Sequence, residues 1–179
     1  KSYAELQASP LTSATVGRYF GVCNASVNLN TGTFGVAGTW SLTGLALKTL
    51  FNNGLSLGTV AGAIAAASIT QISVDYTGAS ILVWMGVDNV WYDSSAGTTG
   101  NPATGANPTF TISAQDIFVY VSGYQSTQSV NFGQRPFTYT PPTGFKALNT
   151  FNLPDPVIPN GAAHMAATVF TGNGTSQAV

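Results

Sequence analysis

The chain has 179 residues, enough for one domain with a hydrophobic core of its own. Only 6% of them are charged, against about 25% in an average soluble domain, and the net charge is −1. The lack of a basic cluster leaves no footprint for nucleic acid, while 44% hydrophobic and 11% aromatic residues argue against disorder.

Gly, Thr, Ser and Val abound while Glu, Lys and Arg are nearly absent, so strands are favoured over helices. The first two expected strands are Ser2 to Leu6 and Arg18 to Cys23. Cys23 is the only cysteine, so no intrachain disulfide or cysteine-based metal site can form, and the residue reads as a small buried hydrophobe. The Gly-rich run Gly32 to Gly38 lacks a Lys and a following helix signal, so it reads as turns flanking a short strand and not as a phosphate cradle.

Trp40 to Leu50 is a mixed apolar segment, and Asn53-Gly54 after it is a hairpin turn signal leading into Leu55 to Leu57. Thr59 to Ser68 is Ala-rich and reads equally as one or two helical turns or as a small-residue loop. The weakly polar run Leu57 to Ile69 is 13 residues, short of the about 20 needed to span a membrane.

Ile72, Val74 and Tyr76 alternate with Ser73 and Asp75, the period of a half-buried strand. Ile81 to Met85 is an unbroken apolar run, expected to be covered on both faces. Asp88-Asn89 marks a turn before Val90-Trp91-Tyr92. Asp93 to Pro108 is a long, turn-rich polar stretch, and loops of that length tend to be functional or mobile. Phe110 to Ile112 reads as a strand, Ile117 to Val121 as a central, buried one, and Val130 and Phe132 end a last one.

Short strands separated by frequent turns give an all-β fold, a two-sheet antiparallel β-sandwich. It is expected over residues 1–153. Residues 154–179, with three prolines in six residues and then Asn160-Gly161, read as a linker and the start of a following module. The chain has no initiator Met and starts within a strand pattern, so it reads as a piece of a longer polypeptide.

Val130-Asn131-Phe132-Gly133-Gln134-Arg135-Pro136-Phe137, followed by Pro141-Pro142-Thr143-Gly144-Phe145, resembles the C-terminal part of SPRY domains. Val74-Asp75-Tyr76-Thr77-Gly78, the Ile81 to Tyr92 segment and the Tyr3, Glu5 pair fit other stretches of that family, and residues 24–68 match it only loosely. The Lys146-Ala147-Leu148-Asn149-Thr150 continuation and Phe170 to Ser176 are similar to SPRY modules of bacteriophage virion proteins. The resemblance implies a non-enzymatic SPRY-like sandwich in a virion, in a tail fibre or related appendage. It would bind a host surface glycan or protein, or other virion subunits in a homo-oligomeric assembly, through loops at one end. The alternatives are a capsid-associated or decoration module and, last, a polysaccharide depolymerase.

The chemistry-bearing residues give no catalytic set, no cofactor site and no metal site. Asp88 and Asp93 could form an acid pair, yet both sit in turns that favour Asp for backbone reasons. Calcium could be held by Asp75, Asp88 or Asp93 with loop carbonyls. His164, the only histidine, falls in the linker. Trp84 and Trp91 read as core. Trp40, Tyr92 and Tyr124 lie nearer turns and are the candidates for an exposed stacking surface. Asp93, Thr98, Asn101, Thr104 and Asn107 are the loop groups expected to hydrogen-bond a partner. The aromatic, Pro-punctuated segment Val130 to Asn149 is expected to end a strand at Pro136 and fold back as a lid, with Phe137, Tyr139 and Phe145 over the sandwich.

Overall fold

The β-branched and aromatic runs form strands, and Asn, Asp and Gly turn the chain between them. A computed structural model describes residues 1–8, 18–28, 36–43, 48–60, 67–123 and 127–149. Among these residues there are twelve strands and no helix. They are β1 (Ser2–Ala8), β2 (Arg18–Asn24), β3 (Thr39–Thr43), β4 (Lys48–Asn52), β5 (Leu55–Val60) and β6 (Ile69–Asp75). β7 (Ser80–Val87), β8 (Val90–Trp91), β9 (Phe110–Ser113), β10 (Ile117–Gly123), β11 (Gln128–Asn131) and β12 (Lys146–Ala147) follow.

Two sheets pack face to face as a β-sandwich. The first has the order β11-β1-β6-β7-β8, with β9 also on β7 and β12 on β1; the second has the order β10-β2-β3-β4-β5. All pairings are antiparallel except the two-residue β1–β12 contact. The inter-sheet core joins Ala4, Leu6, Ile72, Val83 and Met85 of the first sheet to Phe20, Val22, Trp40, Leu42 and Leu50 of the second. Each such side chain stabilises by roughly 1.5–3 kcal/mol on burial.

The turn signals act as expected. Asn53 and Gly54 have φ of 49° and 82°, and Asp88 and Asn89 have φ of 50° and 64°. Both pairs supply the two left-handed residues that a tight hairpin matching strand twist demands. Asp and Asn serve at the second turn because their short polar side chains tolerate that region.

Three expectations change. β6 is buried at every position, not at alternate ones, and Tyr76 lies beyond its end, exposed. Ile72 and Val74 face the inter-sheet core, while Gln71 and Ser73 on the other face are covered too. β10 is not central: it is the outermost strand of the second sheet, pairing with β2, and its Phe118 is 55% exposed. Its unbroken apolar run arises because Ile117, Val119 and Val121 pack on the core while Phe118 points the other way. Thr59 and Val60 of the Ala-rich stretch belong to strand β5; residues 61–66 lie outside the described residues.

What covers the outer face of the first sheet is the segment after β11. Asn131 Oδ1 accepts the Gly133 amide at 2.9 Å, Asn131 Nδ2 donates to Pro136 O at 3.1 Å, and Gln134 Nε2 donates to Val130 O at 2.7 Å. The Asn-Phe-Gly-Gln-Arg-Pro run thus folds on itself and sends the chain across the sheet. Phe137 meets Tyr3 edge-on at 4.9 Å, and Phe145 meets Trp84 edge-on at 6.1 Å. With Trp91 they form a second core, separate from the inter-sheet one. Glu5, also buried, accepts the Thr138 and Tyr139 amides at 2.9 Å each and the Tyr3 hydroxyl at 2.9 Å. Gln71 Nε2 donates to the same hydroxyl at 2.8 Å, so no polar group in this chain of contacts lacks a partner. Burial raises the Tyr3 pKa, with Gln71 opposing and Glu5 reinforcing.

Candidate functional site

The expected binding residues separate into three groups. Trp40 and Tyr92 are not a stacking surface. Trp40 sits on β3, the middle strand of the second sheet, and is 7% exposed; Tyr92 is 2% exposed. Both rings point into the inter-sheet core, and the Tyr92 hydroxyl accepts a hydrogen bond from Lys48 Nζ at 3.0 Å. Nearness to a turn in sequence did not decide exposure, because inward orientation on the strand did. Tyr124, the third ring, lies outside the described residues, as does His164.

The Asp93 to Pro108 loop is held by its own polar groups. Asp93 Oδ1 accepts the Ser95 and Gly97 amides at 2.8 and 2.9 Å, and Oδ2 accepts the Thr99 hydroxyl at 2.6 Å. The Thr99 hydroxyl chiefly, against burial and with the backbone amides of Ser95, Gly97 and Thr99, lowers the Asp93 pKa. Asn107 Nδ2 donates to Thr99 O at 3.1 Å, and Asn101 Oδ1 accepts the Thr104 amide at 3.2 Å across the Asn101–Ala106 bridge. Ala96 packs on the inter-sheet core, and Trp84 Nε1 donates to Ala106 O at 2.8 Å. Of the loop groups proposed for binding, Asp93, Asn101, Thr104 and Asn107 therefore brace the loop, while Thr98 is exposed and makes no hydrogen bond among the described residues.

The unspent polar groups lie elsewhere, at one end of the sandwich. Strand pairing sets Asn24 beside Ile117, Trp40 beside Asn52, Ser80 beside Ser113 and Ser2 beside Val74, so these positions share one end. There Asn24, Asn52, Asn53, Leu55, Ser113 and Gln115 surround a groove of about 510 Å³, with Trp40, Thr111 and Ile112 completing its wall. Asn53 Oδ1 accepts the Gly38 amide at 2.6 Å, which fixes the side chain and leaves its Nδ2 without a partner among the described residues. Asn24 Nδ2 donates to Gln115 Oε1 at 3.1 Å, and Gln115 Nε2 reaches only Ser113 O, at 3.4 Å. The Asn52 amide has no hydrogen-bond partner among the described residues.

The groove runs on at both sides. Through Gln115 it meets a largely apolar crevice of about 240 Å³ between Val22, Val74, Ile81 and Val119, rimmed by Tyr76, Leu148 and the carboxylate-bearing Asp116. Through Thr111 it meets the depression beside Asp93, Thr99 and Asn107. Five large hydrophobics are notably exposed among the described residues, and Leu55, Tyr76 and Leu148 border this continuous surface. Asn52 and Asn53 were legible in sequence only as the flank and first residue of a turn, and Gln115 as part of a short link. Side-chain freedom at such positions leaves no local pattern.

Asp88, Asp93 and Asp75 are each engaged by a different partner. Asp88 Oδ1 accepts the Ile69 amide at 2.8 Å, and Asp93 is ringed by its loop. Asp75 pairs with Lys1 Nζ at 2.8 Å. Burial opposes its ionisation, yet Lys1 and the Thr77 hydroxyl and amide outweigh that and hold its pKa down at about 2. No group of three or more His, Cys, Asp or Glu side chains converges among the described residues, so the calcium reading finds no ligand set there. Cys23 is buried and free, and burial raises its thiol pKa. No protein-family model matches the chain, and a search of curated proteins also finds no match.

Proposed function

We propose that this chain is a non-enzymatic binding module of a bacteriophage virion protein, a SPRY-like sandwich within a tail fibre or related appendage. It engages a host surface molecule or a neighbouring subunit through the end of the sandwich that carries the amide groove. The observation that carries the reading is the contrast in hydrogen-bond use. The Asp93 to Asn107 loop spends most of its polar groups on bracing itself, whereas those of Asn52, Asn53 and Gln115 remain available together in one groove beside exposed Leu55. A rigid β scaffold presenting such groups at strand ends suits recognition. The SPRY-like motif supports the virion assignment through residues that fold the lid, Asn131 to Phe137 and Pro141 to Phe145. Contacts of this kind are individually weak, so affinity comes from several copies engaging together.

Immunogold labelling of intact particles of the source phage with antibody to this chain tests the reading. Label on tail appendages, together with antibody block of host adsorption, is the expected result. Label spread over the capsid shell would favour the decoration alternative, and unlabelled particles would remove the virion reading altogether.

A further inference from the structure

We infer that the end groove takes an uncharged, hydroxyl-rich ligand, the sugar residues of a neutral glycan. The inference rests on the reading of this chain as a binding module and gives that module's ligand a chemical class.

Charge is the first ground. The described residues lining the groove are amides, hydroxyls and apolar side chains, with no Lys, Arg, His, Asp or Glu among them. A sulfate, phosphate or uronate seated there would lose water and meet no cation, which is costly for an ion and far less so for a hydroxyl. The adjoining Asp93 carboxylate does not recruit a cation either, because its oxygens are filled by the loop's own donors.

Hydrogen-bond character is the second. Among the described residues the Asn52 amide has no partner for its acceptor or its two donors, Asn53 offers its Nδ2 donors, and Gln115 Nε2 makes one long contact. A side-chain amide presents donor and acceptor side by side. Neighbouring sugar hydroxyls, each able to donate and accept, match that pair. An extended peptide is instead held by a backbone ladder with pockets for alternate side chains. Here the available groups are side-chain amides set at strand ends. Asn53 is also pre-fixed by the 2.6 Å bond from the Gly38 amide, so ordering it on binding costs little.

Form is the third ground. The groove continues through Thr111 toward the Asp93 loop and through Gln115 toward Tyr76, so a chain of residues fits the surface better than a compact molecule. Trp40 shows only 7% of its surface and gives an apolar wall without a stacking face. Selection therefore falls on hydrogen bonding, and a single site should bind weakly.

The test is affinity gel electrophoresis of the chain through soluble neutral polysaccharides (glucan, mannan and galactan) and, in parallel, through the polyanions alginate and heparin. At least one neutral polymer should retard it and neither polyanion should. Asn52→Ala combined with Gln115→Ala should abolish at least nine-tenths of the retardation while leaving the thermal melting point in place. Retardation by polyanions alone, by none of the polymers, or equally in the double variant overturns the glycan assignment. If the double variant then loses a virion or host protein partner and the tail appendages are still labelled, the groove binds a peptide and the module reading stands. Unlabelled particles, by contrast, remove the virion reading whatever the gels show.

Discussion

The lid over the first sheet and the groove at the end of the sandwich are built from opposite uses of polar side chains. In the lid, Asn131, Gln134 and Glu5 are each bonded to backbone groups of the segment they hold, and two aromatic edges seat on Tyr3 and Trp84. In the groove, the Asn52 side chain bonds nothing among the described residues, and Gln115 Nε2 makes one contact at 3.4 Å. The motif-rich stretch, which catches the eye in the sequence, is occupied with folding. The plain Asn and Gln at strand ends are the groups left to meet a partner. Satisfied polar networks stabilise a fold, and unsatisfied accessible ones recognise.

The largest test of that division is removal of the lid's anchor. Phe145→Ala should cost about 3–5 kcal/mol in urea unfolding, since the ring fills the second core against Trp84. A loss under about 1 kcal/mol would mean that the segment rests on the sheet without supporting it. Glu5→Ala should come next, at about 2–4 kcal/mol, because the Thr138 and Tyr139 amides and the Tyr3 hydroxyl all lose their acceptor in a buried place. Glu5→Gln keeps one acceptor oxygen and should fall between wild type and Ala. If Gln is as damaging as Ala, acceptor geometry is not what holds the lid.

Much of this was readable in the sequence and some was not, for reasons of distance along the chain. The Asn53-Gly54 and Asp88-Asn89 turns, the run covered on both faces from Ile81, and the fold-back of Phe137 and Phe145 follow from local chemistry. Strand β11, however, ends at Asn131 and not at Pro136, because the Asn131 side chain already holds the turn there. β6 reads as half-buried because the cover over Gln71 and Ser73 comes from residues some sixty positions later. β10 reads as central because an apolar run does not record how many neighbours its strand has. Trp40 and Tyr92 read as surface residues because they lie near turns. For Trp40 the spacing to Leu42, two residues on and facing the same core, carried the better signal. The groove was not legible at all, since its strand residues come from β2, β3, β4, β5 and β9, which only pairing and the packing of the two sheets bring together.

A smaller effect belongs to the ion pair at the lid's margin. The Asp75 pKa is lowered from 3.8 to about 2, so the native state holds its proton less firmly than the unfolded chain. The stabilisation is therefore present above about pH 4 and is lost as pH falls from there toward 2. Because Lys1 is one-third exposed, solvent screening trims the effect to about 1–2 kcal/mol. Urea midpoints taken at pH 5 and pH 2.5 should separate for wild type more than for Asp75→Asn. Equal separation would assign the acid sensitivity to other carboxylates.

The smallest expected change is the most informative about the groove. Asn52 is half-buried on β4, and its amide has no partner among the described residues, so Asn52→Ala removes no hydrogen bond from the fold. Its stability should stay within about 0.5 kcal/mol of wild type, as for a surface position free of structural duties. A residue that is neutral to the fold yet fills the wall of a 510 Å³ groove is one whose amide is available for contacts outside the domain. A loss above about 1 kcal/mol would instead make Asn52 a structural residue like Asn131. The groove would then be one more internally braced surface, and the difference between the two regions would disappear. Thermal melts of Asn52→Ala and Asn131→Ala side by side decide it, with Asn131→Ala expected to fall by several degrees because both its amide groups hold the turn into the lid.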